Sequence, residues 1–192
     1  MTTLCFILAS ILSASPEVRR IDDPGRGYAF ALPSDFIELP GTPGSWVRGR
    51  DSDDFVIVSL EALRGTIGRE PMAPEDLKRL RATALTEKWK GFPVDGFRLE
   101  EQREGQTLLI LSVQVPLAPR AVQVMTSGLL DNEAAVHDTL VSVLGSLEGK
   151  TNWLTDEERV AQGLEGALRL GVTFLLVAAL GLGVWRLTKR RR

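Results

Sequence analysis

A single imidazole limits what one copy of this chain can do as a catalyst. His137 is the only histidine, so the usual zinc sites built on two or three imidazoles cannot form within one chain. A Ser-His-Asp relay fares no better. Asp138 follows His137 directly on an expected helix, where adjacent side chains point about 100° apart, a poor geometry for orienting the ring. No Gly-x-Ser-x-Gly elbow is present. His137 therefore reads as a histidine at the solvent edge of a helix.

The acidic groups are sparse in a similar way. Asp51, Asp53 and Asp54 suggest a cation loop, but Val56 stands at the sixth position and Ala62 at the twelfth. The calcium-binding loop needs glycine and glutamate there, so these aspartates read as a polar hairpin tip. Glu100 and Glu101 are consecutive on an expected strand and so face opposite sides. They do not make an acid/base pair. Gly163, Gly166 and Gly171 are scattered rather than gathered into a phosphate-cradling loop. The residues imply no catalytic group, metal or cofactor.

The elements that would carry these residues begin with the two ends. Leu170 to Trp185 is a run of sixteen residues without a charge, followed by a tail in which Arg186, Lys189, Arg190, Arg191 and Arg192 are basic. Leu168 to Leu187 would rise about 30 Å as a helix, the thickness of a bilayer's hydrocarbon core. Arg169 and Arg186 stand at the two rims, where long side chains reach headgroups. The expected anchor therefore spans residues 169–187, with Arg169, Leu170, Trp185 and Arg186 at its limits. Basic residues on the C-terminal side put that end in the cytoplasm, at residues 188–192, and the rest of the chain outside it.

At the other end, Leu4 to Ala14 is apolar but would extend only about 16 Å, too short to cross. With Ser13, Ala14 and Ser15 beyond it, residues 1–15 read as a secretory signal peptide, although no Lys or Arg precedes the run and Pro16 disfavours cleavage nearby. Cys5, the only cysteine, lies inside it, so the expected mature domain has no disulfide.

Between the ends, residues 16–149 are long enough for one domain with its own core. The chain has 23 basic and 25 acidic residues. All the acids precede Arg169 and six basic residues lie at or after it, which leaves 17 against 25 and a charge of −8. So acidic a domain is a poor match for nucleic acid.

Tyr28 to Leu32 alternates as a first strand. Ser45 to Arg48 and Phe55 to Ala62 read as a hairpin. Pro74 to Trp89 has Pro74 and two acids at its start and Leu77, Leu80, Ala84 and Leu85 on one stripe, so the spacing predicts a helix. Phe97 to Arg103 and Thr107 to Pro116 are strands joined at Glu104-Gly105, a hairpin signal. Arg120 to Met125 is a further strand. Asn132 to Leu147 is a closing helix, with Val136, Leu140, Val143, Leu144 and Leu147 inward and Asp131 or Asn132 as its cap. Both helices read as covers for the sheet. The order is that of an α+β domain with an antiparallel sheet.

Gly27-Tyr28-Ala29-Phe30-Ala31-Leu32-Pro33-Ser34-Asp35-Phe36, an aromatic strand followed by Pro-x-x-aromatic, resembles the opening of PsbP-like domains. The order of elements that follows, to Leu144-Gly145-Ser146-Leu147, is similar to that family's α/β/α sandwich over residues 27–147. The resemblance implies a non-enzymatic extracytoplasmic assembly, binding or accessory protein. A C-terminal membrane helix departs from the family's plan, so the resemblance implies no particular partner or site.

Residues 150–168 join domain to anchor. Thr155-Asp156-Glu157-Glu158 has capping-box spacing, Val160, Leu164, Ala167 and Leu168 mark a stripe, and Trp153 and Leu154 are expected to pack on the domain. Ala179 and Gly183 have a small-xxx-small spacing that would let two anchors pair weakly. The expectation is a single-pass protein of a bacterial plasma membrane. It would use the bilayer and an envelope or membrane protein as partners, and no nucleic acid. Two other readings stay open: a membrane-tethered hydrolase whose carboxylates meet only in the fold, and an exported protein whose tail is a processed sorting signal.

Overall fold

Apolar residues recur at every second position through most of the domain: Val56, Val58 and Leu60; Leu109, Leu111, Val113 and Val115; Val122 and Val124. That period makes strands with one buried face. In the computed structural model, which describes residues 17–50, 53–68, 70–151 and 153–154, each of those nine side chains is buried. The chain divides into two units, Met1–Lys150 and Thr151–Arg192. The first carries every element below.

In chain order these are β1 (Val18–Asp23), β2 (Tyr28–Pro33), β3 (Ile37–Glu38), β4 (Ser45–Arg48), β5 (Val56–Ala62), α1 (Pro74–Leu80), β6 (Thr83–Trp89), β7 (Phe92–Arg103), β8 (Gln106–Val115), β9 (Val122–Leu129), α2 (Glu133–Ser146) and β10 (Glu148–Gly149). Seven strands form one sheet in the order β3-β4-β5-β9-β8-β7-β6, and three form a second in the order β1-β2-β10. Every strand pairing among the described residues is antiparallel, as the α+β reading expects. Helix α2 packs against β9, β5, β8 and β6 of the large sheet and against β2 of the small one. Its Val136, Leu140, Val143 and Leu144 are buried, each stabilising the fold by about 1.5–3 kcal/mol.

The largest departure from expectation lies between Pro74 and Trp89. The helix stops at Leu80; Arg81 takes the left-handed conformation (φ 57°) and donates its N–H to the last carbonyls. Thr83–Trp89 is then strand β6. Leu85 and Trp89 fit either period, four apart on a helix or two steps along one face of a strand. Tertiary burial decides it: Leu85, Glu87 and Trp89 turn inward, and Trp89 is fully buried. Nor does α1 cover the sheet, since it has no buried residue and Leu80 is 41% exposed.

Other corrections are smaller. β7 begins at Phe92 rather than Phe97, because Lys90 (φ 47°) and Gly91 (φ 82°) make a tight hairpin turn back from β6. The same geometry recurs at Glu104 and Gly105, the turn expected from sequence. β9 starts at Val122 and runs to Leu129, four residues beyond Met125. β1, β3 and β10 were not expected. Asn132 does stand at the helix cap position, but its side chain makes no capping bond; Nδ2 instead donates to the Asp53 carbonyl at 2.7 Å.

Residues 1–16 and 155–192 lie outside the described residues, and with them the expected signal peptide and the expected anchor. Among the described residues no helix is long and apolar enough to cross a membrane. Of the second unit, Trp153 donates its N–H to Thr151 Oγ1 at 3.1 Å.

Candidate functional site

The β1–β2 hairpin is closed by a turn that Asp23 organises. Its carbonyl accepts from the N–H of Arg26 and Gly27, at 3.1 and 2.9 Å, and its Oδ1 accepts from Arg26 N–H at 3.0 Å. That turn brings the Arg26 guanidinium back over the strand, where Nη1 donates to Tyr28 Oη at 3.3 Å and lies 3.4 Å from Asp23 Oδ2. The bond to Tyr28 is the chief reason the guanidinium holds its proton more tightly than usual. Burial, chiefly, pushes the Tyr28 phenol above the ordinary tyrosine value, with Arg26 pulling the other way.

Facing this turn is the entry to β4. Gly44 adopts φ +82°, and a Cβ there would lie 2.9 Å from Leu60 O and 3.1 Å from Arg26 Nη1. Glycine is thus required both by the backbone and by the approach of Arg26. Next to it Trp46 is buried and meets Phe30 edge-on at 5.1 Å between centroids. Between hairpin and β4 runs an open cleft of about 460 Å³, lined along its length by Arg19 to Pro24, with Arg26, Tyr28, Glu38, Pro43, Gly44 and Trp46 completing it.

One wall of the cleft is an unpaired strand edge. In the small sheet β2 is central, and among the described residues β1 pairs only with it. The N–H and C=O of Ala31 both meet Ser146 Oγ, at 3.0 and 3.4 Å, so they point away from β1. Groups on a strand alternate sides, so Phe30 and Leu32 bond toward β1, opposite Ile21 and Arg19. It follows that the backbone donors and acceptors of Arg20 and Asp22 point outward, to the free edge. Their side chains lie on the surface, and Arg20 bridges Asp22 at 3.0 Å and Glu148 of β10 at 2.9 Å. The Glu148 bond, then Asp22, raises the affinity of Arg20 for its proton, and the same bond from Arg20 lowers the pKa of Glu148. Arg19 Nη2 donates to the Phe36 carbonyl at 3.1 Å, tying β1 to the start of β3.

The residues singled out from sequence fall elsewhere. His137 Nε2 meets Glu87 Oε1 at 2.8 Å, with the imidazole side chain 43% exposed and that of Glu87 17%. Asp138 lines a separate cleft of about 320 Å³ with Arg48, Thr139 and Ser142. Glu100 pairs with Arg98, which also reaches Glu133, and Glu101 pairs with Arg103. Asp51 lies outside the described residues, as do Arg169, Leu170, Trp185 and Arg186. Among the described residues no group of three or more His, Cys, Asp or Glu could hold a metal ion. Sequence reasoning missed the whole β1 wall.

No family model matches the chain, and no curated protein does. Solved structures of similar fold do exist. One is a protein from Bacteroides thetaiotaomicron, at TM-score 0.50 and 16% identity, covering 69% of this chain and 48% of that one; this chain spans about half its length. Another is LpqN of Mycobacterium tuberculosis, described as involved in cell envelope biogenesis, at TM-score 0.45 and 18% identity, covering 68% of this chain and 90% of LpqN. A third is PsbP of the cyanobacterium Synechocystis, at TM-score 0.41 and 13% identity, covering 72% of this chain and 95% of PsbP. The structures matched include a PsbP protein, the family whose opening residues 27–36 resemble in sequence. At such identities the likeness is one of fold alone.

Proposed function

We propose that this chain is a single-pass membrane protein whose acidic α+β domain stands outside the cytoplasm and binds a polypeptide partner in the envelope, without catalysis. The observation that carries the binding half is the cleft beside β1. It combines outward-pointing backbone donors and acceptors on Arg20 and Asp22, the aromatic residues Tyr28 and Trp46, and charges of both signs. A strand edge of this kind offers affinity through main-chain hydrogen bonds and selectivity through alternate side chains. Arg20 and Asp22, and Arg26 and Asp23, are paired with one another, and Arg19 is held by the Phe36 carbonyl, an arrangement suited to recognition. The membrane half rests on the apolar run from Leu170 to Trp185 and the basic residues after it.

The test uses the full-length protein in intact membranes with a photo-crosslinking residue in place of Glu38, on the wall facing β1. A discrete protein adduct is expected, reduced by Asp22→Pro, which removes an outward-pointing N–H from the β1 edge, where proline is tolerated. Absence of any adduct at Glu38, with the protein present and folded, removes the binding reading.

A further inference from the structure

The edge strand reads Arg19-Arg20-Ile21-Asp22-Asp23, a run whose charges are mirrored about Ile21. Two copies laid antiparallel with Ile21 against Ile21 place Arg20 opposite Asp22 and Arg19 opposite Asp23, twice each. We infer that the polypeptide held at this edge is a second copy of this chain, paired β1 to β1 about a twofold axis through Ile21. The inference rests on the reading of the cleft as a polypeptide site and names its occupant.

Hydrogen-bond geometry selects the same register. Arg20 and Asp22 present their main-chain groups outward, as derived from the Ala31–Ser146 bonds. In the Ile21-centred register Arg20 and Asp22 face each other, so each N–H meets a carbonyl and two closed pairs form. Ile21 then sits at the non-hydrogen-bonded site on the axis. A slip by one residue sets outward groups against inward ones and forms no ladder. A slip by two in one direction lays Arg20 on Arg20, and in the other Asp22 on Asp22. Like charges directly opposite destabilise a pair. Only one register satisfies both main chain and charge. A twofold contact of this type is self-closing, and it would join the two small sheets into one of six strands.

The strand is accessible for this. The side chains of Arg20 and Asp22 are 55% and 62% exposed, and Val18 at the strand's start is 60% exposed. An edge carrying charges of one sign would repel a second copy; this edge carries two of each. On docking, the two intrachain Arg20–Asp22 bridges, one in each copy, are exchanged for two interchain ones, while Glu148 can keep Arg20 in place from the other side.

The experiment is disulfide trapping of the full-length protein in membranes, in a Cys5→Ser background. Cα atoms at a non-hydrogen-bonded antiparallel pair lie about 4.5 Å apart, within disulfide range. Ile21→Cys is therefore expected to give an adduct of twice the chain's mass, and Val18→Cys, though well exposed, roughly fivefold less, since it faces Pro24 of the other copy. In the Ile21→Cys protein, Arg20→Asp or Asp22→Arg alone should lower the yield roughly tenfold, and the two together should restore it. Asp22→Arg keeps the Arg20–Glu148 bridge and so guards against a folding artefact. Equal trapping at positions 18 and 21, or a double reversal that fails to rescue, overturns the self-pairing. If Glu38 captures a different protein while Ile21→Cys traps nothing, the cleft reading stands and the second copy falls; if neither captures anything, both fall.

Discussion

Thr126 Oγ1 is buried, and among the described residues it has no hydrogen-bond partner. It stands on the inner face of β9 between Val58 and Leu111, an apolar setting in which an unmade hydroxyl bond costs about 1–3 kcal/mol. Thr126→Val keeps the shape and removes the donor, so the domain should gain about 1 kcal/mol, read as a raised denaturant midpoint with an unchanged slope. Tyr28 supplies a second check, and as the only tyrosine its phenolate absorbance is unambiguous. Its folded-state pKa is raised, so the stability it contributes is complete below about pH 10 and is lost as pH rises through the folded value. The titration should run above that of the unfolded chain and fall back toward it when Phe30→Ala loosens the surrounding packing. A Tyr28 that titrates like free tyrosine would contradict its buried position. His137 shows how far single residues were legible. Its place at the helix edge follows from the period of α2, but its bond to Glu87 does not, because the spacing of residues 74–89 predicts a helix there and Glu87 lies on β6.

Strand β7 packs tightly on the β8 backbone at Gly96, where a Cβ would fall 1.8 Å from Ser112 O and 2.7 Å from the Val113 Cα. The backbone must move to admit any side chain. Gly96→Ala should therefore cost about 3 kcal/mol, measured by chemical denaturation, whereas Gly105→Asn, in an open turn with φ +85°, should cost under about 1 kcal/mol. Elements with an unambiguous period were legible: α2 has five inward residues at helical spacing, and β9 alternates cleanly from Val122 to Thr126. The Glu104-Gly105 turn was legible from its residues alone. β6 was not, since Leu85 and Trp89 satisfy both periods. β1 was hidden for another reason: four of its six residues are charged, as befits an edge, and edges carry little hydrophobic signal. The mirrored charges of residues 19–23 are plain in the sequence, yet they acquire meaning only once β1 is known to have a free side.

In the first unit, one buried indole connects distant parts of the chain. Trp89 Nε1 donates to the Leu147 carbonyl at 2.9 Å, its ring stacks on Phe92, and Lys90 Nζ lies 5.2 Å from the ring centre. The end of α2 is thereby fixed to the β6–β7 hairpin. Trp89→Phe removes the donor, leaves a buried carbonyl unpaired and opens a void, so a loss of about 3 kcal/mol is expected. Hydrogen exchange should show faster opening of both the hairpin and the last turn of α2. Protection lost at only one of them would show that the two are not coupled through this bond. The architecture at this scale was broadly legible as antiparallel sheet plus helix; its division into two sheets was not, because that depends on pairings between the ends of the domain.

Those end-to-end pairings govern when the domain can finish. Ala29 lies beside Glu148 and Tyr28 beside Gly149, so the hairpin made first during synthesis waits for nearly the last residues of the unit before its second side is covered. A ribosome builds this chain from the β1 end, but the small sheet closes from the other. Any product that stops short of Glu148 keeps its oldest hairpin half-covered, which makes early termination a natural target for proteolytic clearance.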